Sequence, residues 1–262
     1  MRFIPFAFLL ICFGCSSNQQ ATNQNTPNAV AVSNVEQVTT DTFSMDYVIG
    51  KFDPTTHPDF ILIDKSHASN GEMRMRKDAY NAFLEMRKAA EKDGIDLKII
   101  SAVRPFHHQK RIWEAKWNGT RKVDGQDLSK TMPNPVERAY KILTYSSMPG
   151  TSRHHWGTDI DLNSLEPAFF EKGEGAKIFG WLEKNGPAYG YCQPYSPKGG
   201  IRPHGYNEEK WHWSYNPVSL KLTNLAKQNL KNDMISGFEG AEAAPKIDVV
   251  GKYVLGINHQ CK

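Results

Sequence analysis

The hydrophobic and polar positions divide the chain into three stretches. Phe3 to Phe13 is almost wholly apolar, broken only by Pro5, and Arg2 precedes it. A run that short fits the core of an export signal and not a membrane span. From Ser16 to about Val38 large apolar residues nearly vanish, and Ser, Asn, Gln, Thr and Ala dominate. That is the pattern of a flexible tether. From about Met45 apolar residues return with regular spacing. Phe60 to Ile63 is a short apolar run, and Arg76 to Lys92 has helical spacing with Tyr80, Phe83 and Leu84 on one face. Gly94 is placed to stop that helix. Leu97 to Val103 reads as a buried strand and Pro105 to Trp117 as a helix.

A polar loop follows from Asn118 to Pro133. Asn134-Pro135-Val136-Glu137 then predicts a helix start: Asn caps, Pro suits the first turn, and Glu three residues on completes a capping box. This helix should reach about Tyr145, before Met148-Pro149-Gly150. The pattern next gives a strand over Gly157–Leu162, a helix over Gly175–Asn185, and strands over Tyr189–Cys192 and Trp211–Tyr215. A closing helix over Pro217–Met234 turns Leu222, Leu225, Ala226 and Leu230 inward. Helices and short strands mix without a regular strand–helix–strand period. The predicted class is α+β, with a small, mainly antiparallel sheet flanked by helices. The expected organisation is an export signal over 1–15, a tether over 16–44, a domain over 45–237 and a tail over 238–262 packed on it.

Composition agrees with a soluble domain. Of 262 residues, 39% are hydrophobic, 23% charged and 11% aromatic, enough to build a core. The formal charge of +4 is mild and dispersed. It argues for no nucleic-acid partner. Gly14-Cys15-Ser16-Ser17, after the apolar run, resembles the lipobox of bacterial lipoproteins, which makes Cys15 the expected lipid attachment site. Four cysteines are present; Cys12 would leave with the signal. Cys192 and Cys261 remain as a pair in an oxidising compartment, and a disulfide between them is expected.

The candidate chemistry lies in three segments. In Ser152-Arg153-His154-His155-Trp156-Gly157-Thr158-Asp159-Ile160-Asp161-Leu162, strand alternation sends Ile160 and Leu162 one way and Asp159 and Asp161 the other. Two histidines and two carboxylates this close can meet a metal, or can be surface histidines and solvated turn residues. In Glu208-Glu209-Lys210-Trp211-His212-Trp213, His212 points away from the two tryptophans, and a turn can bring Glu209 to the same place. Two histidines plus one carboxylate form a common open zinc set. In Ser101 to Gln109, Arg104 leaves a buried strand, where its planar donors could bind a carboxylate or a developing oxyanion, or form an ordinary ion pair. No His-Glu-x-x-His helix exists.

Together these segments resemble the VanY-type D-alanyl-D-alanine carboxypeptidases, in the group that includes lysostaphin-like enzymes and the hedgehog fold. That family shows Ser-x-His-x-x-Gly-x-x-x-Asp, then Glu-x-Trp-His, and upstream an Arg followed five residues later by Gln. Here these are Ser152, His154, Gly157 and Asp161; Glu209, Trp211 and His212; Arg104 and Gln109, in the same order along the chain. The resemblance covers roughly Arg76 to Tyr215.

It implies Zn²⁺ held by His154, Asp161 and His212, in preference to His155 and Asp159. It makes Glu209 the catalytic base and places Arg104 at the attacked carbonyl or the substrate carboxylate. Ser152, Gln109 and Trp211 fall to the substrate. The implied substrate is the stem peptide of peptidoglycan, with a terminal D-alanine removed. L,D-carboxypeptidase, cross-link endopeptidase and a non-catalytic zinc-containing wall-binding module are the alternatives. A monomer, lipid-anchored in the cell envelope, is expected. Two positions depart from the pattern. Asp159 stands where the family usually has Ala, and Ser214 where relatives often carry Arg.

Overall fold

The computed structural model describes residues 43–69 and 71–262. The expectations for the export signal (1–15), for Cys15 and for nearly all of the tether lie outside the described residues. The domain opens with Phe43 and Ser44. Phe43 packs 4.9 Å from the Tyr47 ring, and the Ser44 hydroxyl caps α1 (Met45–Val48) by accepting from Tyr47 N–H.

Two small antiparallel sheets follow. β1 (Phe60–Leu62) pairs with β2 (Arg74–Arg76), which runs straight into α2 (Lys77–Lys92). α2 buries Ala79, Tyr80, Phe83, Met86 and Ala90, the one-sided stripe that helical spacing demands. Gly94, just past its C-cap, has φ +74°, as the helix-stop reading requires. β3 (Ile99–Ser101), then α3 (Phe106–Trp117), α4 (Leu128–Thr131) and α5 (Pro135–Ile142) lead to β4 (Asp159–Leu162). α6 (Gly173–Asn185), β5 (Tyr191–Cys192), β6 (His212–Tyr215), α7 (Asn216–Asn229) and α8 (Ala243–Ile247) complete the chain. The class is α+β, and no described helix is long and apolar enough to cross a membrane.

The larger sheet has the order β3-β4-β6-β5, with every neighbour antiparallel. β4 and β6 are therefore central. One face carries Ile160, Leu162 and Trp213 into a core cluster with α2 and α6. A second cluster gathers residues of α3, α5, α7 and α8 around Trp113, Trp117 and Trp156.

Some elements differ from the pattern. The loop after Asn118 contains α4, capped by Asp127, whose side chain accepts from Ser129 N–H. The strand expected over Leu97–Val103 is paired only at Ile99–Ser101, because Val103 N–H turns to Arg74 O. The closing helix stops at Asn229, where Leu230 turns extended (ψ 128°) while its side chain stays buried. Residues 238–262 bury Ala243, Ala244, Ile247, Val249 and Ile257, and a disulfide joins Cys192 to Cys261.

Candidate metal centre

Register builds the centre. Asp161 lies directly opposite His212 across the β4–β6 ladder, and Asp159 lies opposite Ser214. Alternation places all four on the face away from Ile160, Leu162 and Trp213. His154 comes from a tight turn, Arg153–Trp156, ended by Gly157 at φ +71°. A Cβ at Gly157 would stand 2.3 Å from a Phe60 ring carbon, so neither the conformation nor the space admits a side chain there.

His154 donates through Nδ1–H to Ala102 O at 2.8 Å, which turns Nε2 inward, 3.2 Å from Asp161 Oδ2. His212 Nδ1 is 3.2 Å from Asp161 Oδ1. One donor atom from each of His154, Asp161 and His212 lies within 4.8 Å of the others. His154 Nε2 and Asp161 Oδ1 are buried and find no hydrogen-bond partner in the protein. A divalent ion explains these orphaned lone pairs. A tetrahedral zinc with ligands at about 2.1 Å holds its ligand atoms about 3.4 Å apart, close to the 3.2 Å that separates the Asp161 carboxylate from each histidine. The residues fit the ion.

Glu209 stands beside this set. Its Oε2 is 3.3 Å from His212 Nδ1, and the turn is closed by His212 N–H donating to Glu209 O at 3.3 Å. Burial pushes its carboxyl above the usual range, with His212 pulling it partly back. Arg104 N–H donates to His154 O at 3.0 Å, and its buried Nε has no protein partner. Ser152 Oγ and Gln109 Oε1 are likewise buried and unpartnered, while Gln109 Nε2 donates to Ser147 O at 2.8 Å. A groove of about 460 Å³, lined by Met73, Arg74, His108 and residues 100–104, reaches Arg104.

His155 is a separate case. Its Nδ1–H donates to Arg104 O at 2.5 Å, and Nε2 accepts from Gly150 N–H at 3.0 Å. Both nitrogens are spent on backbone, and burial pushes the imidazole down to about 3. It ties the Arg104 strand end to the loop before Ser152. Trp211 departs from its expected place at the substrate. It is only 4% exposed and packs with Phe170 in the cluster behind the sheet. Its position on the face opposite His212 makes it a support for the strand.

The sequence model of the VanY family, described as D-alanyl-D-alanine carboxypeptidase, matches residues 72–218, more than half of the 262-residue chain. The chain belongs to the VanY family. Among relatives of the chain, the Bacillus subtilis (strain 168) protein YodJ is 27% identical over 191 residues, covering 69% of this chain and 59% of that protein. A D-alanyl-D-alanine carboxypeptidase of Enterococcus faecalis (strain ATCC 700802 / V583) is 26% identical over 155 residues, covering 58% and 52%. The chain thus spans little more than half the length of these relatives. A VanY D,D-pentapeptidase from a VanB-type vancomycin resistance cassette, solved with Zn(II), is 22% identical with a TM-score of 0.44, over 74% of this chain and 87% of that one.

Two features of this VanY chain carried little or no sequence signal. Tyr195 places its ring 4.7 Å from the His212 ring, although nothing in the pattern marks it. Arg153, Asp159 and Ser214 form a buried network against His212, of which only the two departures from the family pattern gave notice.

Proposed function

We propose that the protein is a zinc-dependent peptidase that removes a terminal D-alanine from peptidoglycan stem peptides. The observation that carries this reading is one juxtaposition. Two imidazole nitrogens and a carboxylate share a pocket with unsatisfied lone pairs, and a second carboxylate, Glu209, stands next to them outside the set. A wall-binding module would need the first feature and not the second.

His154, Asp161 and His212 would hold the ion. Bound there, Zn²⁺ would polarise the attacked carbonyl and lower the pKa of a water molecule towards about 7. Glu209 takes the proton from the attacking water and returns it to the leaving amine nitrogen. Arg104 donates to the carbonyl oxygen as negative charge gathers on it. The free Ser152 hydroxyl and Gln109 carbonyl oxygen offer one donor and one acceptor to the backbone of the stem. In the same reading residues 1–15 export the chain, Cys15 takes a lipid, and the residues from Ser16 up to the domain hold it off the membrane on the envelope side.

The test is incubation of the purified protein with muropeptides, with and without chelator, followed by mass spectrometry. Metal-dependent loss of one terminal alanine is the expected result. Loss of a longer fragment or release of a cross-link would move the cleavage to another bond of the stem. Tight wall binding with no product in either sample would refute the enzyme.

A further inference from the structure

We infer that Asp159 is the positioning residue of the metal centre: its carboxylate holds His212 with Nδ1 turned towards the ion. The inference rests on the zinc reading of His154, Asp161 and His212 above. Asp159 belongs to neither the ligand set nor the family pattern, which has Ala here.

The hydrogen bonds define its state. Asp159 is fully buried (0% exposed), yet both carboxylate oxygens are occupied. Oδ2 accepts from His212 Nε2–H at 2.9 Å and from Arg153 Nε–H at 2.9 Å. Oδ1 accepts from the hydroxyls of Thr158 at 2.7 Å and Ser214 at 2.8 Å. A solvated turn residue would have none of these bonds. A carboxylate can only accept, so the proton of His212 facing it sits on Nε2. With the ion in place of a second proton, the lone pair of the ring is then on Nδ1, on the side of Asp161. One bond thereby sets the tautomer of His212 and the rotation of its ring.

Arg153 makes this carboxylate tolerable. Beyond its bond to Asp159, its guanidinium donates to Thr223 Oγ1 at 3.0 Å and Ser214 Oγ at 2.6 Å, and lies 4.5 Å over the Trp156 ring. The buried pair is neutral, so it orients His212 without adding net charge to a centre that already holds Asp161 and Glu209. The fork also fixes Asp159 from behind, which keeps its oxygens from turning to the ion. Ser214 fits for a simple reason. An Arg at that position would place a second guanidinium against Arg153, whereas a hydroxyl bridges Arg153 and Asp159.

The experiment measures zinc binding to the full chain by competition with a chelating dye, with no activity assay. Asp159→Ala should weaken binding by about 10–100-fold. Asp159→Asn should lose less, because its amide oxygen can still accept from His212. In zinc-loaded protein labelled with ¹⁵N-histidine, His212 should show an Nε2–H resonance protected from water exchange, absent in Asp159→Ala. Folding of each variant is checked on the metal-free protein by circular dichroism. If Asp159→Ala does not fold, the wild-type resonance and the Asn variant decide. Unchanged zinc affinity in a folded Asp159→Ala, or no protected Nε2–H on His212 in the wild type, overturns the inference. A wild-type protein that binds no zinc overturns the metal reading itself.

Discussion

Glu209 and His155 show how neighbours of the same type are given different tasks by a few ångströms. Glu209 lies 3.3 Å from His212 yet outside the ligand set. Glu209→Ala should therefore keep stoichiometric zinc and lose at least about a hundredfold in turnover, or roughly 2.7 kcal/mol of transition-state stabilisation. Zinc analysis beside a muropeptide assay checks it, and loss of the metal would assign Glu209 to the ligands. His154 and His155 differ by where their nitrogens point. His154 has one nitrogen left after its bond to Ala102 O, and His155 has none. His154→Ala should abolish tight zinc binding, and His155→Ala should destabilise the fold while binding zinc. Equilibrium dialysis against zinc separates the two, and the reverse outcome would sink the placement of the ligand.

Among the elements, the turn between Trp156 and β4 is the most constrained. Gly157→Ala meets two penalties: a left-handed backbone costing about 1–2 kcal/mol and a Cβ 2.3 Å from the Phe60 ring. A loss of at least about 2 kcal/mol is expected from urea unfolding, accompanied by weaker zinc binding, because the same turn carries His154. An unchanged midpoint would show that the turn has another way to close. α3 offers a pH test. Lys116, half-buried, donates to the Ser146 hydroxyl, and burial, with Arg121 and Arg104 adding to it, lowers its pKa to about 8. Its ordinary value is about 10.4. Between those values the unfolded chain binds the extra proton, so stability gains from deprotonation as pH rises. Below about 8 the burial cost is fully present. Lys116→Met should therefore be favoured relative to wild type most at pH 7, with the gap shrinking towards pH 10. A gap that stays constant over that range in denaturation series would remove Lys116 as its source.

At the scale of the molecule, a run of edge-on and tilted ring contacts links the tail to the metal centre. Tyr253 packs 5.1 Å from Tyr206, Tyr206 packs 4.9 Å from Tyr195, and Tyr195 lies 4.7 Å from His212. The disulfide closes a separation of 69 residues from β5 to the tail. A loop of that size predicts a stabilisation of about 4 kcal/mol. Cys261→Ser should lower the unfolding midpoint accordingly and open the segment after Phe238 to limited proteolysis. A tail that stays protected would show that its buried apolar residues suffice.

Much of the architecture was legible because it depends on local periodicity. The α2 stripe, the Asn134 cap, whose side chain accepts from Val136 and Glu137 N–H, and the alternation in β4 all follow from spacing within a few residues. Spacing also placed two histidines and two carboxylates near one strand, but left open which of each was used. The family pattern then named His154, Asp161 and Glu209. Tertiary structure decided what no local rule reaches. It set the β4–β6 register that puts Asp161 opposite His212, sent Trp211 to the core side, and closed Arg153, Asp159 and Ser214 into a buried network with Thr223 of α7. Apart from the local Arg153–Asp159 bond, the contacts of that network join residues 53 to 70 positions apart. Their partners are fixed by the path of the whole chain, and no single segment holds that path.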